Sequence, residues 1–200
     1  MTTPRSWDDS YTEEEPPPWD IGRPQRAFVR LAEQGLLTGH VLDAGCGTGE
    51  HVLFAATHGA SDATGVDLSA TAIGRARGKA ADRGIEARFE VGDALNLDIP
   101  PASITTVIDS GLFHVFSDED RPRYVASLAS VLEPGGHVYL MCFSDRQPGN
   151  QGPRRVHQEE LRAAFADGWT VDSITADTFD VSRFFEGNTV QAWLAVIAKI

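Results

Sequence analysis

The sequence is poor in basic residues and has no long apolar run. Lysine and arginine total 17 against 29 aspartates and glutamates, so the formal net charge is −12. This excess of negative charge disfavours binding to the phosphate backbone of nucleic acids. No apolar run approaches the ~20 residues that a transmembrane helix needs, and the acidic N-terminus lacks the apolar segment of a signal peptide. We therefore expect a protein that binds neither nucleic acid nor membranes.

Cysteine is also scarce. The two cysteines, Cys46 and Cys142, fall in segments that the sequence pattern predicts to be buried strand or strand end. Cysteines so placed disfavour a disulfide framework and fit a reducing compartment, so we expect a cytoplasmic location. The length of 200 residues suits one domain with one substantial core, as a monomer or a homodimer.

The first 25 residues differ in composition from the rest of the chain. Three glutamates and then three prolines follow one another in this segment, and both like charges and prolines disfavour regular structure. Trp7, Tyr11 and Trp19 are nevertheless spaced through it. This pattern predicts an arm, residues 1–25, that docks on a domain formed by residues 26–200.

Strands and helices alternate after the arm. The predicted strands span residues 41–44, 62–68, 87–91, 104–110, 137–143, 169–175 and 189–200. The predicted helices begin at Pro24, near residue 51, after the N-cap Ser69, at Asp118 and at Glu159. Such alternation indicates an α/β fold with a mostly parallel sheet, in which ligands bind outside the carboxyl ends of the strands.

The turn after the first predicted strand reads VLDAGCGTG. Gly45, Gly47 and Gly49 let the backbone approach a ligand and present N–H groups at a helix N-terminus. A dinucleotide-binding turn would carry its third glycine at position 50, which is Glu50 here. The carboxylate of Asp43 is unfavourable beside a pyrophosphate and favourable beside an amino group or a sulfonium.

This turn closely resembles motif I of the class I S-adenosylmethionine-dependent methyltransferases. The resemblance covers residues 36–145 well, and it implies a Rossmann-like seven-stranded sheet, helices on both faces and an antiparallel last strand. It also implies S-adenosyl-L-methionine as cofactor and S-adenosyl-L-homocysteine as product. The residues that would hold the methionine and ribose parts are Asp43, Ala44, Gly45, Cys46, Gly47 and Gly49.

Further positions match the family in chain order. In GVDLS, Asp67 and the adjoining Leu68 stand where the family binds the ribose, and two acceptor oxygens suit a cis-diol. In VGDAL, Asp93 and Ala94 match the turn that contacts adenine. Ser110 lies where the chain passes closest to the transferable methyl group.

The arm adds a second resemblance. Trp7, Tyr11 and the stretch PPWDIGRPQ are similar to the arm of the thiol, halide and thiopurine methyltransferases and of related bacterial enzymes. The resemblance implies that Trp7, Tyr11 and Trp19 wall the cofactor site. Aromatic faces attract a sulfonium by cation–π interaction, by ~1–2 kcal/mol where water is excluded.

The segment after the fourth strand narrows the class of acceptor. It reads Asp-Ser-Gly-Leu and lacks the Asn/Asp-Pro-Pro-aromatic motif typical of nucleic-acid amino methyltransferases, so we expect a small-molecule acceptor. The residues predicted to line its pocket are Leu112, Phe113, His114 and Phe143. A mainly apolar pocket suits a small aromatic or a soft nucleophile.

The chemistry of the acceptor stays open at this point. A thiolate or halide needs no strong base, whereas a hydroxylated aromatic could use His114 as a general base. The alternatives are methylation of a thiol or other soft nucleophile, O- or N-methylation of a phenolic or heterocyclic metabolite, and a non-catalytic regulator that binds S-adenosylmethionine. We expect no metal ion, because the spacing of the acidic residues is not diagnostic of a metal site.

Overall fold

The protein is described by a computed structural model, which covers residues 7–200. The first six residues of the predicted arm lie outside this range. The strands are β1 Gly39–Ala44, β2 Ala60–Asp67, β3 Arg88–Val91, β4 Ile104–Ser110, β5 Leu132–Phe143, β6 Trp169–Asp180 and β7 Thr189–Lys199. The helices are α1 Asp9–Thr12, α2 Arg26–Glu33, α3 Glu50–Thr57, α4 Ala70–Arg83, α5 Asp120–Val131 and α6 Gln158–Ala164.

The seven strands form one sheet in the order β3-β2-β1-β4-β5-β7-β6. Strand β7 lies between β5 and β6 and runs antiparallel to both, while the other pairs are parallel. This topology confirms the predicted Rossmann-like sheet with an antiparallel last strand. The carboxyl ends of β1, β2, β4 and β5 therefore meet at one edge, where the strand order reverses.

Alternating side chains divide the core between the two faces of the sheet. On β1, Leu42 packs with α5 and α6, whereas Val41 packs with α2 on the opposite face. The same alternation separates Cys142 from Phe143 on β5. Because successive residues of a strand point to opposite faces, neighbours in the sequence end in different layers. This division decides which predicted site residues meet.

Two helices begin two residues later than predicted. Helix α2 begins at Arg26, since Gln25 has an extended backbone and pairs its side-chain amide with the backbone of Asp180. Helix α5 begins at Asp120 rather than Asp118, and the Ser117 hydroxyl accepts a hydrogen bond from the Asp120 N–H at 3.1 Å.

Strands β5 and β6 are each five residues longer than predicted. Strand β5 starts at Leu132, directly after α5, so residues 134–136 form an irregularity within a strand instead of a break before it. Strand β6 continues to Asp180, which brings Phe179 to the edge of the sheet that carries the site. None of the helices in residues 7–200 is long and apolar enough to cross a membrane.

Candidate functional site

The glycine turn after β1 is held tightly against β2. The N–H groups of Gly45 and Cys46 both donate to the Val66 carbonyl, at 2.8 and 3.0 Å. The Gly47 N–H donates to Asp67 Oδ2 at 2.8 Å. Gly47 has a φ of +52°, and a Cβ there would lie 2.8 Å from the Tyr11 hydroxyl. A larger residue at this position would therefore be strained and would collide with the arm.

Asp43 is fully buried at the end of β1, directly before the glycine turn. Neither carboxylate oxygen accepts a hydrogen bond from any residue between 7 and 200, and the His51 Nδ1 atom lies 3.5 Å from Oδ2. His51 Nε2 accepts the Gln25 N–H at 3.1 Å, so a neutral His51 carries its proton on Nδ1. Burial raises the pKa of the Asp43 carboxyl, while His51 opposes that rise.

Asp67 ends β2 on the other side of the turn. Its Oδ2 accepts the Gly47 N–H, and its Oδ1 accepts the Ser69 N–H at 2.8 Å. Burial raises its pKa, and the two backbone hydrogen bonds act against that shift. Each oxygen keeps a second lone pair for a ligand, so the carboxylate is oriented to accept hydrogen bonds from a vicinal diol.

The outer end of this site is apolar and exposed. Leu68 directly follows β2 and Val91 is the last residue of β3, and each is 54 % exposed although both are large hydrophobic residues. Asp93 is exposed and accepts the Leu95 N–H at 2.9 Å, while Ala94 is buried behind it. A flat apolar surface beside a carboxylate suits a heteroaromatic ring with an amino group.

The described part of the arm lies over the glycine turn. Tyr11 is buried, and its hydroxyl accepts the Trp19 Nε1–H at 3.0 Å. Trp7 and Trp19 are each 45 % exposed, with ring centres 6.0 Å apart. The Tyr11 carbonyl accepts a hydrogen bond from Arg75 of α4 at 2.6 Å. The three arm aromatics thus form one group, of which Tyr11 touches the turn.

Asp8 fastens the arm to the first turn of α4, a contact that sequence reasoning missed. Asp8 Oδ1 accepts hydrogen bonds from the Ser69 hydroxyl at 2.6 Å and from the Thr71 N–H at 2.9 Å. The Thr71 hydroxyl donates to Oδ2 at 3.0 Å. These bonds lower the pKa of Asp8, the Ser69 bond having the largest effect.

The second half of the arm is fastened to the β6–β7 connection. The Ser182 N–H donates to the Pro18 carbonyl at 2.9 Å, and Arg183 pairs with Glu15 at 3.1 Å. The arm therefore touches both the α4 side of the site and the ends of β6 and β7.

Asp109 organises the turn that follows β4. It is fully buried and accepts the Leu112 N–H at 2.7 Å, the Phe113 N–H at 3.1 Å and the Tyr124 O–H at 2.9 Å. Burial raises the pKa of Asp109 to about 7. A Cβ on Gly45 would lie 3.0 Å from Leu112 Cδ1, so Leu112 rests against the glycine turn.

His114 is buried beside this turn and has a defined tautomer. Its Nδ1 accepts the Phe143 N–H at 3.0 Å, so the proton of the neutral ring lies on Nε2. Burial, together with the charges of Arg121 and Arg155, lowers the pKa of His114 to about 3. The ring is therefore neutral near pH 7 and presents Nε2 as a donor. It has no unprotonated nitrogen free to act as a base.

Aromatic rings pack around Gly111 at the predicted acceptor site, which we call the acceptor cleft. The ring centre of Phe143 lies 5.0 Å from that of His114, 5.8 Å from that of Phe179 and 5.9 Å from that of Phe185. A Cβ on Gly111 would lie 3.3 Å from both His114 Nε2 and Phe179 Cζ. Position 111, directly after Ser110, therefore has no room for a side chain between these two rings.

The predicted acceptor residues do not all meet. His114 and Phe143 share the acceptor cleft, whereas Phe113 is fully buried on the opposite face of the sheet. Its ring lies under the Arg121 guanidinium at 4.5 Å and beside Phe165 at 6.1 Å. Phe113 thus supports the turn from the core. Phe179 and Phe185, which sequence reasoning missed, gave no sequence signal beyond their aromatic character.

The residues present fit S-adenosylmethionine. The orphaned carboxylate of Asp43 suits the amino group of the methionine part. Asp67 is placed to accept the ribose hydroxyls, and the exposed Leu68 and Val91 suit the adenine. Within residues 7–200, no three His, Cys, Asp or Glu side chains converge in a way that could hold a metal ion.

A model of the methyltransferase domain matches residues 41–136. The chain is 38 % identical over 178 residues to the 2-heptyl-1-hydroxyquinolin-4(1H)-one methyltransferase of Mycobacteroides abscessus, covering 84 % of this chain and 78 % of that protein. It is 28 % identical over 161 residues to the probable thiol methyltransferase 2 of Arabidopsis thaliana, covering 78 % of this chain and 67 % of that protein.

One solved structure also has substantial sequence similarity. It comes from a study of the conversion of a disulfide bond into a thioacetal group during echinomycin biosynthesis. It is 38 % identical to this chain, covers 96 % of this chain and 89 % of its own, and superposes with a TM-score of 0.84.

Proposed function

The chain belongs to the class I S-adenosylmethionine-dependent methyltransferases, and on that premise we propose that it methylates the oxygen of a planar hydroxylated heteroaromatic molecule. The observation that carries this proposal is the set of side chains at the acceptor cleft. Rings of Phe143, Phe179 and Phe185 surround it, and His114 offers an Nε2–H donor beside Gly111. Stacked or edge-on rings favour a flat aromatic ligand, and a single donor favours an oxygen on it.

The relatives support the same acceptor class. The Mycobacteroides abscessus protein is named as a methyltransferase of a 1-hydroxyquinolin-4(1H)-one, a bicyclic heteroaromatic with a hydroxyl group. A thiol is the second candidate, because another relative is named as a probable thiol methyltransferase. Both acceptor classes fit a cleft that is bounded by the aromatic side chains of His114, Phe143, Phe179 and Phe185.

Methyl transfer needs alignment of the acceptor and exclusion of water more than it needs acid–base chemistry. When bound, S-adenosylmethionine would supply an activated methyl group. A lone pair of the acceptor would form the new bond to the methyl carbon, and the bonding pair of the broken carbon–sulfur bond would stay on sulfur. Asp43 and Asp67 bind the cofactor. Tyr11 and Trp19 of the arm cover it, and His114 Nε2 orients the acceptor oxygen.

His114 thus takes a different role from the general base that the sequence suggested. The Phe143 N–H occupies Nδ1, and the two nearby arginines and burial disfavour a charged ring. A donor role follows from the same geometry: Nε2–H stabilises negative charge on the acceptor oxygen. The loss of such a hydrogen bond costs about 1.5 kcal/mol, less than the loss of a general base.

An acceptor panel tests the proposal. Purified protein is incubated with S-adenosylmethionine and, in turn, a 1-hydroxyquinolin-4-one, 8-hydroxyquinoline, a phenol, a catechol, thiophenol and iodide. Release of S-adenosylhomocysteine is measured. We expect the hydroxylated heteroaromatics to give the highest kcat/KM. Asp67→Asn serves as the inactive reference, and Asp82→Asn, at an exposed position on α4, serves as the matched control. Turnover of thiophenol alone would refute oxygen methylation and favour the thiol.

A further inference from the structure

The loop of residues 144–156 connects β5 to α6 and is closed at its base. Ser144 and Val156 form a parallel bridge, and the Val156 N–H donates to the Phe143 carbonyl at 2.9 Å. The Gln147 side chain also accepts the Gln191 N–H of β7 at 2.8 Å. These contacts fix the loop at the carboxyl end of β5, next to the acceptor cleft.

Arg155 fills the centre of this loop. Its Nε donates to the Gln147 carbonyl at 3.2 Å, and its Nη1 donates to the Pro153 carbonyl at 2.6 Å. Its Nη2 donates to the Gln151 carbonyl at 2.9 Å and approaches the Gly149 carbonyl at 3.2 Å. The donors of Arg155 are therefore satisfied by neutral carbonyl groups, which hold the guanidinium without cancelling its charge.

Arg155 has no carboxylate within salt-bridge distance among residues 7–200. Its neighbour Arg154 is a useful contrast, because it pairs with both Asp118 and Glu160. Burial of a charge without a counter-charge is unfavourable, and it lowers the pKa of Arg155. Because no carboxylate neutralises the Arg155 guanidinium, its positive charge can attract an anionic ligand in the acceptor cleft.

The Arg155 guanidinium lies beside Phe143, one of the rings that bound the acceptor cleft. The Arg155 guanidinium carbon lies 5.4 Å from the ring centre of Phe143. A Cβ on Gly152, in the same loop, would lie 3.3 Å from Phe143 Cε2 and 3.4 Å from Phe185 Cζ. The loop therefore packs on two of the rings that bound the cleft.

We propose that Arg155 is a specificity-determining residue that gives the acceptor cleft a positive potential, so that the acceptor binds as an anion. This inference rests on the proposed function, since it takes the cleft as the acceptor site. The class of acceptor is a heteroaromatic hydroxyl or a thiol that loses its proton near neutral pH. A phenol or an aliphatic alcohol, which holds its proton more tightly, binds less well.

The other charged groups around the cleft have partners within the protein. They are Asp109 on β4, Arg121 on α5, Asp145 after β5 and Asp180 at the end of β6. His114 is neutral there, with one proton on Nε2. Arg146, in the same loop, also has no carboxylate partner among residues 7–200, but its guanidinium lies over the ring of Trp193, which packs on the opposite face of the sheet from Phe143. Arg155 is therefore the cation without a carboxylate partner that this loop places beside the acceptor cleft.

An anionic acceptor makes a general base unnecessary. The acceptor releases its proton to solvent before or during binding, so the transfer step moves the methyl group and no proton. The positive charge of Arg155 stabilises the acceptor as it binds. The neutral His114 then donates one hydrogen bond to the same oxygen or sulfur, which accounts for a histidine whose ring is held uncharged.

The test measures the ionisation of bound acceptors directly. The ultraviolet absorption of a 1-hydroxyquinolin-4-one and of 4-nitrothiophenol is titrated with pH, free and bound to the protein with S-adenosylhomocysteine. In the wild type we expect the pKa of the bound acceptor to lie below its value in solution. In Arg155→Met it should rise by about one unit, a roughly tenfold weaker binding of the anion. Arg154→Met should leave it unchanged.

Binding of a neutral ligand distinguishes the loss of the Arg155 charge from a change in the shape of the cleft. The methylated product carries no ionisable group, and its affinity reports whether the cleft keeps its shape. We expect Arg155→Met to weaken binding of the anion and not of the neutral product, and Arg155→Lys to restore part of the anion's affinity. Equal loss for both ligands would mean that Arg155 only holds the loop, and an unchanged pKa of the bound acceptor would likewise overturn the proposal.

The two proposals fail differently in this design. If the hydroxyquinolone does not bind but the nitrothiophenol does, methylation of a heteroaromatic oxygen is refuted. The thiol titration with Arg155→Met still decides the role of Arg155. If both acceptors bind with an unshifted pKa, the proposal that the acceptor binds as an anion is refuted. The proposed methylation of a hydroxylated heteroaromatic molecule is not affected by that result.

Discussion

The Asp8 carboxylate accepts a hydrogen bond from the Ser69 hydroxyl at 2.6 Å, and the Ser69 N–H in turn donates to Asp67. A residue of the arm is thus one hydrogen bond away from Ser69, which orients the carboxylate that we propose to bind the ribose. Because Asp8 also accepts from Thr71 at the start of α4, the arm and the cofactor site share one hydrogen-bonded group.

We expect Asp8→Asn to accelerate release of S-adenosylhomocysteine roughly three- to tenfold. Asparagine keeps the size of the side chain but supplies only one acceptor oxygen where the carboxylate supplies two. Stopped-flow fluorescence of the arm tryptophans, Trp7 and Trp19, measures the release rate. Asp9→Asn, at the neighbouring exposed position, is the matched control. An unchanged release rate in Asp8→Asn would show that the arm is not the barrier to release.

We expect Gly111→Ala to raise the KM of the acceptor tenfold or more and to leave the Kd of S-adenosylmethionine within about twofold. The added methyl group would lie 3.3 Å from His114 Nε2 and from Phe179 Cζ. The φ of +88° adds strain of about 1 kcal/mol for alanine. Steady-state kinetics and calorimetry measure the two constants. Equal weakening of both ligands would mean that the substitution distorts the whole site.

We expect His114→Asn to lower kcat/KM by about five- to tenfold, with no change in the shape of the pH profile. The asparagine Oδ1 can still accept the Phe143 N–H, whereas the donor at the Nε2 position is lost. A loss of 100-fold or more, with an acid limb near neutrality that disappears in the variant, would restore the general-base role.

We expect Asp109→Asn to flatten the pH dependence of stability between about pH 4 and pH 7. The folded protein holds the Asp109 proton up to a pKa of about 7, whereas the unfolded chain releases it near the ordinary aspartate pKa of 3.8. Native protein binds more protons in that window, so stability falls as pH rises, by at most about 1.4 kcal/mol per pH unit. Urea unfolding at a series of pH values measures the slope.

The asparagine variant keeps an acceptor for the Leu112 and Phe113 N–H groups and carries no ionisable group. Its free energy of unfolding should therefore exceed that of the wild type at pH 8 and approach it at pH 4. A parallel pair of curves would place the ionisation of Asp109 outside this range. Asp118→Asn, at an exposed position, controls for a general effect of charge.

The cofactor half of the site was predictable because its signals are local. Asp43 and the three glycines lie within seven residues, and Asp67 follows directly at the end of the next strand. A parallel sheet brings such strand ends together whatever the loops between them do. The α/β fold and the antiparallel last strand followed from the same alternation and the same motif.

The acceptor half was less predictable because it depends on pairings between distant segments. Gln25 bonds to Asp180 across 155 positions, and Phe179 reaches the cleft only because β6 runs five residues further than its pattern indicated. Phe113 and His114 are adjacent, yet their side chains lie on opposite sides of the turn. No composition or spacing shows that Arg155 lacks a carboxylate partner.

The insertion of β7 between β5 and β6 bears on how the chain acquires its activity during synthesis. This strand emerges from the ribosome after every other strand of the sheet, yet it supplies the pairing partner for both of its neighbours. Until it is translated, β6 has no edge to join, and Phe179 has no fixed place opposite His114. A nascent chain that stops before residue 189 contains the whole glycine turn and still lacks a finished acceptor cleft.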